Sequence, residues 1–170
     1  MSEELDFDEF YAASFRRVVG QVYAMTGSLA EAEDSVQESF ARTWQRWRKV
    51  QQYSDPEGWV RTVAYRISVS AWRKAANRVT AHQRAGGDAG AQPDLAPDRL
   101  ALFDALRRIP PDQRRAIVLH HLVGLRVEEI AQETGVASGT VKTRLARGRR
   151  ALAPLVSEFA DAADHPAAGA

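Results

Sequence analysis

The chain has 170 residues, 45% hydrophobic and 26% charged, with a formal net charge of +1 at pH 7. That length suits one domain or two small ones, and the composition excludes wholesale disorder. Its lack of cysteine excludes disulfides, thiol nucleophiles and Cys-type zinc sites; no apolar stretch approaches the roughly 18 residues of a membrane span, and the acidic N-terminus lacks the apolar core of a secretory signal, so a soluble, cytoplasmic protein without membrane association is expected.

The net charge hides a segregation by block. Residues 1–40 carry nine acids against Arg16 and Arg17, whereas residues 41–84 carry ten basic residues against Asp55 and Glu57. Residues 98–155 are again basic, with eleven cations against six acids. Two basic blocks and one acidic block suggest two contacts with a polyanion and a separate surface for another partner.

Phe7, Phe10, Tyr11, Phe15, Val18, Val19 and Val22 follow i, i+3, i+4 spacing and predict a first amphipathic helix, ended by Gly27. Ser28, with Glu31 three residues on, opens a second helix whose apolar line is Val36, Phe40, Trp44 and Trp47. Its outer side carries an acidic ridge, Glu31, Asp34 and Glu38, beside Gln37. No histidine accompanies these carboxylates, so a solvated or protein-binding face is expected and a metal site is not. Asp55-Pro56 caps and starts a third helix, predicted to run to about Asn77. On its wheel Val60, Val63, Ala64, Ile67 and Ala71 face a core. Arg61, Tyr65 and Trp72 fall on the other side, continued by Arg66, Val69 and Arg73. Aromatic rings interleaved with arginines suit single-stranded nucleic acid, where bases stack on rings and guanidinium groups track phosphates. The polar loop before it, with Tyr53, Ser54 and Asp55, has the composition to pocket an unstacked base.

Residues 77–97 hold three glycines, two prolines and little apolar content, a flexible linker. Helices follow at residues 98–108 and from Asp112 to near Gly124, and then a helix-turn-helix. Its first helix spans residues 127–134, Gly135 makes the turn, and Ser138 caps the second helix. Val141, Leu145, Gly148 and Leu152 cluster on the buried stripe, leaving Thr143, Ala146, Arg147 and Arg150 opposite, flanked by Lys142, Arg144 and Arg149. Arginine matches guanine edges, threonine and alanine meet bases or thymine methyls, and the flanking cations hold phosphates. The tail from residue 157 is rich in alanine and is expected to be disordered. The adjacent His120 and His121 point to different helix faces with no supporting carboxylate, so neither catalysis nor a cofactor is expected. The fold class is all-α: two small helical domains, residues 1–76 and 98–156, joined by the linker 77–97 and followed by the tail 157–170.

The segments AEDSVQESFARTWQRW (32–47), PEGWVRTVAYRISVSAWRK (56–74) and IPPDQRRAIVLHHLVGLRVEEIAQETGVASGTVKTRLARGRRAL (109–152) resemble regions 2 and 4 of bacterial sigma-70-type factors of the small extracytoplasmic-function group. FDEFYAA and DPEGWVRTVA are similar to its actinobacterial branch. The resemblance implies that Asp34, Gln37, Glu38 and Phe40 dock on the clamp helices of the RNA polymerase β′ subunit, and that the C-terminal domain meets the β flap. It implies that Tyr53, Ser54 and Asp55 receive a flipped base of the promoter −10 element while Arg61, Tyr65, Arg66, Trp72 and Arg73 hold the surrounding strand. Ser138, Lys142, Thr143, Arg147, Arg149 and Arg150 would contact the −35 element, and an anti-sigma factor is a further partner it allows. A two-domain regulator acting without polymerase explains the C-terminal helix equally well but leaves the acidic ridge idle. The 21-residue linker reaches roughly 70 Å extended but averages roughly 25 Å as a free coil, against roughly 50 Å between two promoter sites. The tether spans them only when held extended, so the free chain is expected to bind promoter poorly.

Overall fold

The computed structural model describes residues 6–79 and 97–164, and among these every regular element is helical. The chain divides into two compact units, Met1–Pro93 and Asp94–Ala170.

In the first unit, α1 (Phe7–Thr26) ends at Gly27, whose φ of 84° is the left-handed conformation that glycine adopts without steric cost. Ser28 then caps α2 (Leu29–Gln45), its hydroxyl accepting from the Glu31 N–H at 3.4 Å. Arg46 leaves helical geometry and separates α2 from the single turn of α3 (Trp47–Val50). Asp55 caps α4 (Pro56–Val79), Oδ1 accepting from the Gly58 N–H at 2.8 Å. The core joins Val18, Val22 and Met25 of α1, Ala32, Val36 and Phe40 of α2, Val50 of α3, and Val60 and Ala64 of α4. Serines let α2 and α4 approach closely without leaving polar groups orphaned. Ser39 Oγ donates to the Val60 carbonyl at 2.7 Å, and Ser68 Oγ to Ser35 Oγ at 2.8 Å.

The α4 stripe differs from its expected form. Ser68 is buried, Ile67 is only partly so, and Ala71 is exposed, because every residue from 70 to 75 projects beyond the bundle. Trp44 is also misplaced by its expected core assignment: it is 65% exposed. At about 100° per residue it has drifted about 80° from Val36, far enough to leave the core face.

In the second unit, α5 (Pro97–Arg107) and α6 (Pro111–Ile117) lead into a π-helical turn at Val118–Leu122, closed where the Val123 N–H bonds the Val118 carbonyl at 3.1 Å. Gly124 follows at φ 86°. The helix-turn-helix comprises α7 (Val127–Thr134) and α8 (Ser138–Asp164). Its core holds Leu106, Ile117, Val118, Leu119, Ile130, Val141 and Leu145. Gly148 sets the α6–α8 approach, since a Cβ there would lie 2.8 Å from Ile117 Cγ1.

Three boundaries differ from expectation. Ala137, not Ser138, holds the α8 cap position, its carbonyl accepting from Val141 N–H at 3.1 Å, and Ser138 is the first helical residue. Of the expected tail, α8 continues helically to Asp164, as its alanine-rich sequence favours; residues 165–170 lie outside the described residues. Of the expected linker, α4 takes the chain through Val79 and α5 begins at Pro97, and residues 80–96 lie outside the described residues.

Candidate nucleic-acid and protein-docking surfaces

Serine and alanine face inward from α2, so its charged residues are displayed outward. Asp34, Gln37 and Glu38 are all exposed, with Glu31 and Glu33 beside them, and Glu38 pairs with Arg42 one turn on. Phe40 does not join that surface. It is 2% exposed, ringed by Phe7, Phe10, Tyr11 and Phe15 with centroid separations of 5.0 to 6.4 Å. Full burial of such a ring stabilises the bundle by ~1.5–3 kcal/mol. Its edge forms part of a groove of about 390 Å³ between α1 and α2, lined by Phe7, Tyr11, Gln37, Ala41, Trp44 and Gln45. The acidic ridge therefore borders an apolar groove, and the combination fits a cationic, amphipathic protein helix. The spacing alone places Trp44 in the core; its helical drift of about 80° past Val36 is the signal that places it outside.

The loop and α4 form a second surface. Tyr53, Ser54 and Asp55 are exposed at the α4 entrance. Along α4, Arg66, Trp72 and Arg73 are exposed and Tyr65 and Val69 half-buried, a contiguous arc in which Trp72 is 66% exposed. Arg61 leaves that arc. It is 1% exposed, Nη1 donating to Gln21 Oε1 at 3.1 Å and Nη2 lying 3.7 Å from Asp55 Oδ2. By angle it belongs with Trp72, but it sits about 16 Å lower on the helix at ~1.5 Å per residue, where α1 covers α4. A helical wheel carries angle and loses height.

The third surface is α8. Gly135, at φ 71°, turns the chain, its N–H bonding the Ala131 carbonyl at 2.9 Å, and at the start of α7 the Arg126 N–H donates to Glu129 Oε2 at 2.7 Å. With Val141, Leu145 and Gly148 buried, α8 exposes Lys142, Thr143, Ala146, Arg147, Arg149 and Arg150, while Ser138 is partly buried. Thr143 donates its hydroxyl to the Gly139 carbonyl at 3.1 Å, which fixes its rotamer. Arg144 instead serves the fold, half-buried and 3.7 Å from Asp112. Arg149 Nε donates to His121 Nε2 at 3.3 Å. Partial burial, then His120 and Arg149, hold the His121 pKa below its ordinary 6.5, so the ring is neutral and accepts. His120 bonds the Leu125 carbonyl at 2.8 Å and so holds the turn before α7.

Both units match known proteins. The family model for sigma-70 region 2 matches residues 10–78, and that for sigma-70 region 4 matches residues 99–152. The chain is 33% identical over 159 residues to the ECF RNA polymerase sigma factor SigL of Mycobacterium tuberculosis, covering 90% of this chain and 88% of the other. It is 28% identical over 160 residues to the RNA polymerase sigma-E factor of Streptomyces coelicolor, covering 94% and 89%. The sigma factor RpoE of Bartonella quintana, solved with the anti-sigma factor NepR, shares the fold at a TM-score of 0.74 and 24% identity, covering 89% of this chain and 97% of that one.

Proposed function

The chain belongs to the extracytoplasmic-function group of sigma-70-type RNA polymerase sigma factors, and from that membership we propose how its surfaces divide the work of starting transcription. A sigma factor is an initiation factor rather than a catalyst: it binds core RNA polymerase and directs it to promoter DNA. We place its work in the cytoplasm with the polymerase; among the described residues no helix is long and apolar enough to cross a membrane.

Asp34, Gln37 and Glu38 contact the β′ clamp helices, with Trp44 entering the interface as the apolar anchor and Phe40 supporting the groove from below. Tyr53, Ser54 and Asp55 receive the flipped −10 base; Tyr65 and Trp72 stack on the strand, and Arg66 and Arg73 hold its phosphates. Lys142, Thr143 and Arg147 read the −35 element, with Ser138, Arg149 and Arg150 on the backbone, while the second unit meets the β flap. The domain division follows: residues 1–76 dock and melt, residues 98–156 locate, and residues 77–97 tether. The relative solved with an anti-sigma factor supports a partner of that kind here. One observation carries the reading: a single bundle pairs an anionic, grooved face on α2 with a cationic, aromatic arc on α4. A regulator acting without polymerase has no use for the first.

The test is run-off transcription with sigma-free core enzyme on a promoter pool. Glu38→Lys should abolish recruitment of the chain to polymerase, measured by co-purification. Arg147→Ala should keep recruitment and relax −35 discrimination by ~1–3 kcal/mol. Wild-type behaviour in both variants would contradict the assigned roles.

A further inference from the structure

The entrance to α4 is clamped by two arginines, one at the surface and one buried. Arg17 of α1 grips Glu57 with Nε and Nη2 at 2.8 and 2.6 Å. One turn further in, Arg61 spans from Gln21 of α1 to Asp55, the last residue of the exposed loop. The Asp55 carboxylate is thereby held at both oxygens. Oδ1 accepts from the Gly58 N–H at 2.8 Å while Oδ2 faces Arg61 Nη2 at 3.7 Å. Gly58 leaves room for this: a Cβ there would overlap Oδ2, approach Cγ to 2.7 Å and reach 3.2 Å from Arg61 Nη2.

The two partners differ in freedom. The Asp55 side chain is 53% exposed and would sample several rotamers in water; that of Arg61 is 1% exposed and always charged. Buried at that depth, Arg61 cannot touch a DNA strand. Its ion pair with Asp55 is what links it to the exposed loop.

Resting on the reading of residues 53–55 as the base-receiving loop, we propose that Arg61 is a positioning residue for −10 recognition. Anchored on α1, it orients the Asp55 carboxylate and so sets the shape of the loop that meets the flipped base. It acts on selectivity, whereas Arg66 and Arg73 on the exposed arc act on affinity.

The experiment uses holoenzyme assembled from the full chain and core RNA polymerase. It is titrated with single-stranded oligonucleotides covering the −10 element of a promoter it initiates from, each base replaced in turn. Wild type should discriminate at one position by roughly tenfold or more. Arg61→Met should remove most of that discrimination, while affinity for a mixed-sequence strand changes less than about twofold, and Arg61→Lys, which keeps the charge but not the two-ended fork, should restore only part of it. Asp55→Asn keeps the carbonyl oxygen that caps Gly58 but loses the ion pair. It should reproduce the Arg61→Met result even if that variant fails to fold. Unchanged discrimination in Asp55→Asn, or a uniform loss of affinity in Arg61→Met, would overturn the proposal. Tyr53→Ala separates the premise from the inference. If it too leaves discrimination intact, the loop is not the reader and both readings fall; if it alone removes discrimination, only the role of Arg61 falls.

Discussion

Gly148 and His121 show how single residues set the DNA-reading unit. Gly148 lies where α8 crosses Ile117, and the 2.8 Å gap from a built Cβ to Ile117 Cγ1 leaves no room for a methyl group. Gly148→Ala gains helix propensity but must push α6 away. Overpacking of this kind costs ~1–3 kcal/mol and outweighs the gain of up to ~1 kcal/mol from removing a helical glycine; chemical denaturation should show a net loss of stability. His121 adds a pH dependence to this unit. Its pKa is depressed in the folded protein by partial burial and by the positive field of His120 and Arg149. The unfolded chain therefore binds more protons below the ordinary value of 6.5. Stability associated with the neutral ring is present above that value and declines as pH falls through the depressed one. Thermal unfolding from pH 7 to pH 5 should show this decline, and His121→Gln should flatten it; an identical slope in both proteins would remove His121 as its cause.

Helix α8 divides its cations by task, and the division is measurable. Arg144 is spent on Asp112 and Arg149 is oriented by His121, whereas Lys142, Arg147 and Arg150 lie exposed on the outer arc. A phosphate contact changes the salt dependence of binding, while a base contact changes sequence preference. Arg150→Ala in the holoenzyme should lower the slope of log K against log salt by about 0.9 and weaken all −35 sequences alike. A change in preference without a change in slope would move Arg150 to the reading face. Much at this scale was legible in sequence because it is local. Gly27, the Ser28 cap, Asp55-Pro56 and the Gly135 turn each specify backbone geometry within a few residues, and α7 occupies its expected range. What was not legible depends on which neighbour covers a helix at a given height. Arg61 and Trp72 share a direction on α4, yet α1 buries one and leaves the other in solvent. Phe40 lies on α2 among exposed acids but packs inward, and Trp44, one turn on, faces out.

At the scale of the whole molecule, the two units gain meaning from the enzyme they serve. Each carries a cationic surface, and the first also carries an acidic ridge beside an apolar groove, so on the proposed roles neither unit alone both recruits polymerase and locates a promoter. The segregation of charge by block in the sequence is the one-dimensional form of this division. The most direct test is multi-round transcription by sigma-free core RNA polymerase on a genomic promoter pool, with and without the chain, beside a gel shift of the chain alone on the same DNA. We predict discrete new start sites only when chain and core are combined, and weak promoter binding by the chain alone. A start-site pattern identical to that of core enzyme, or tight promoter binding without polymerase, would contradict it.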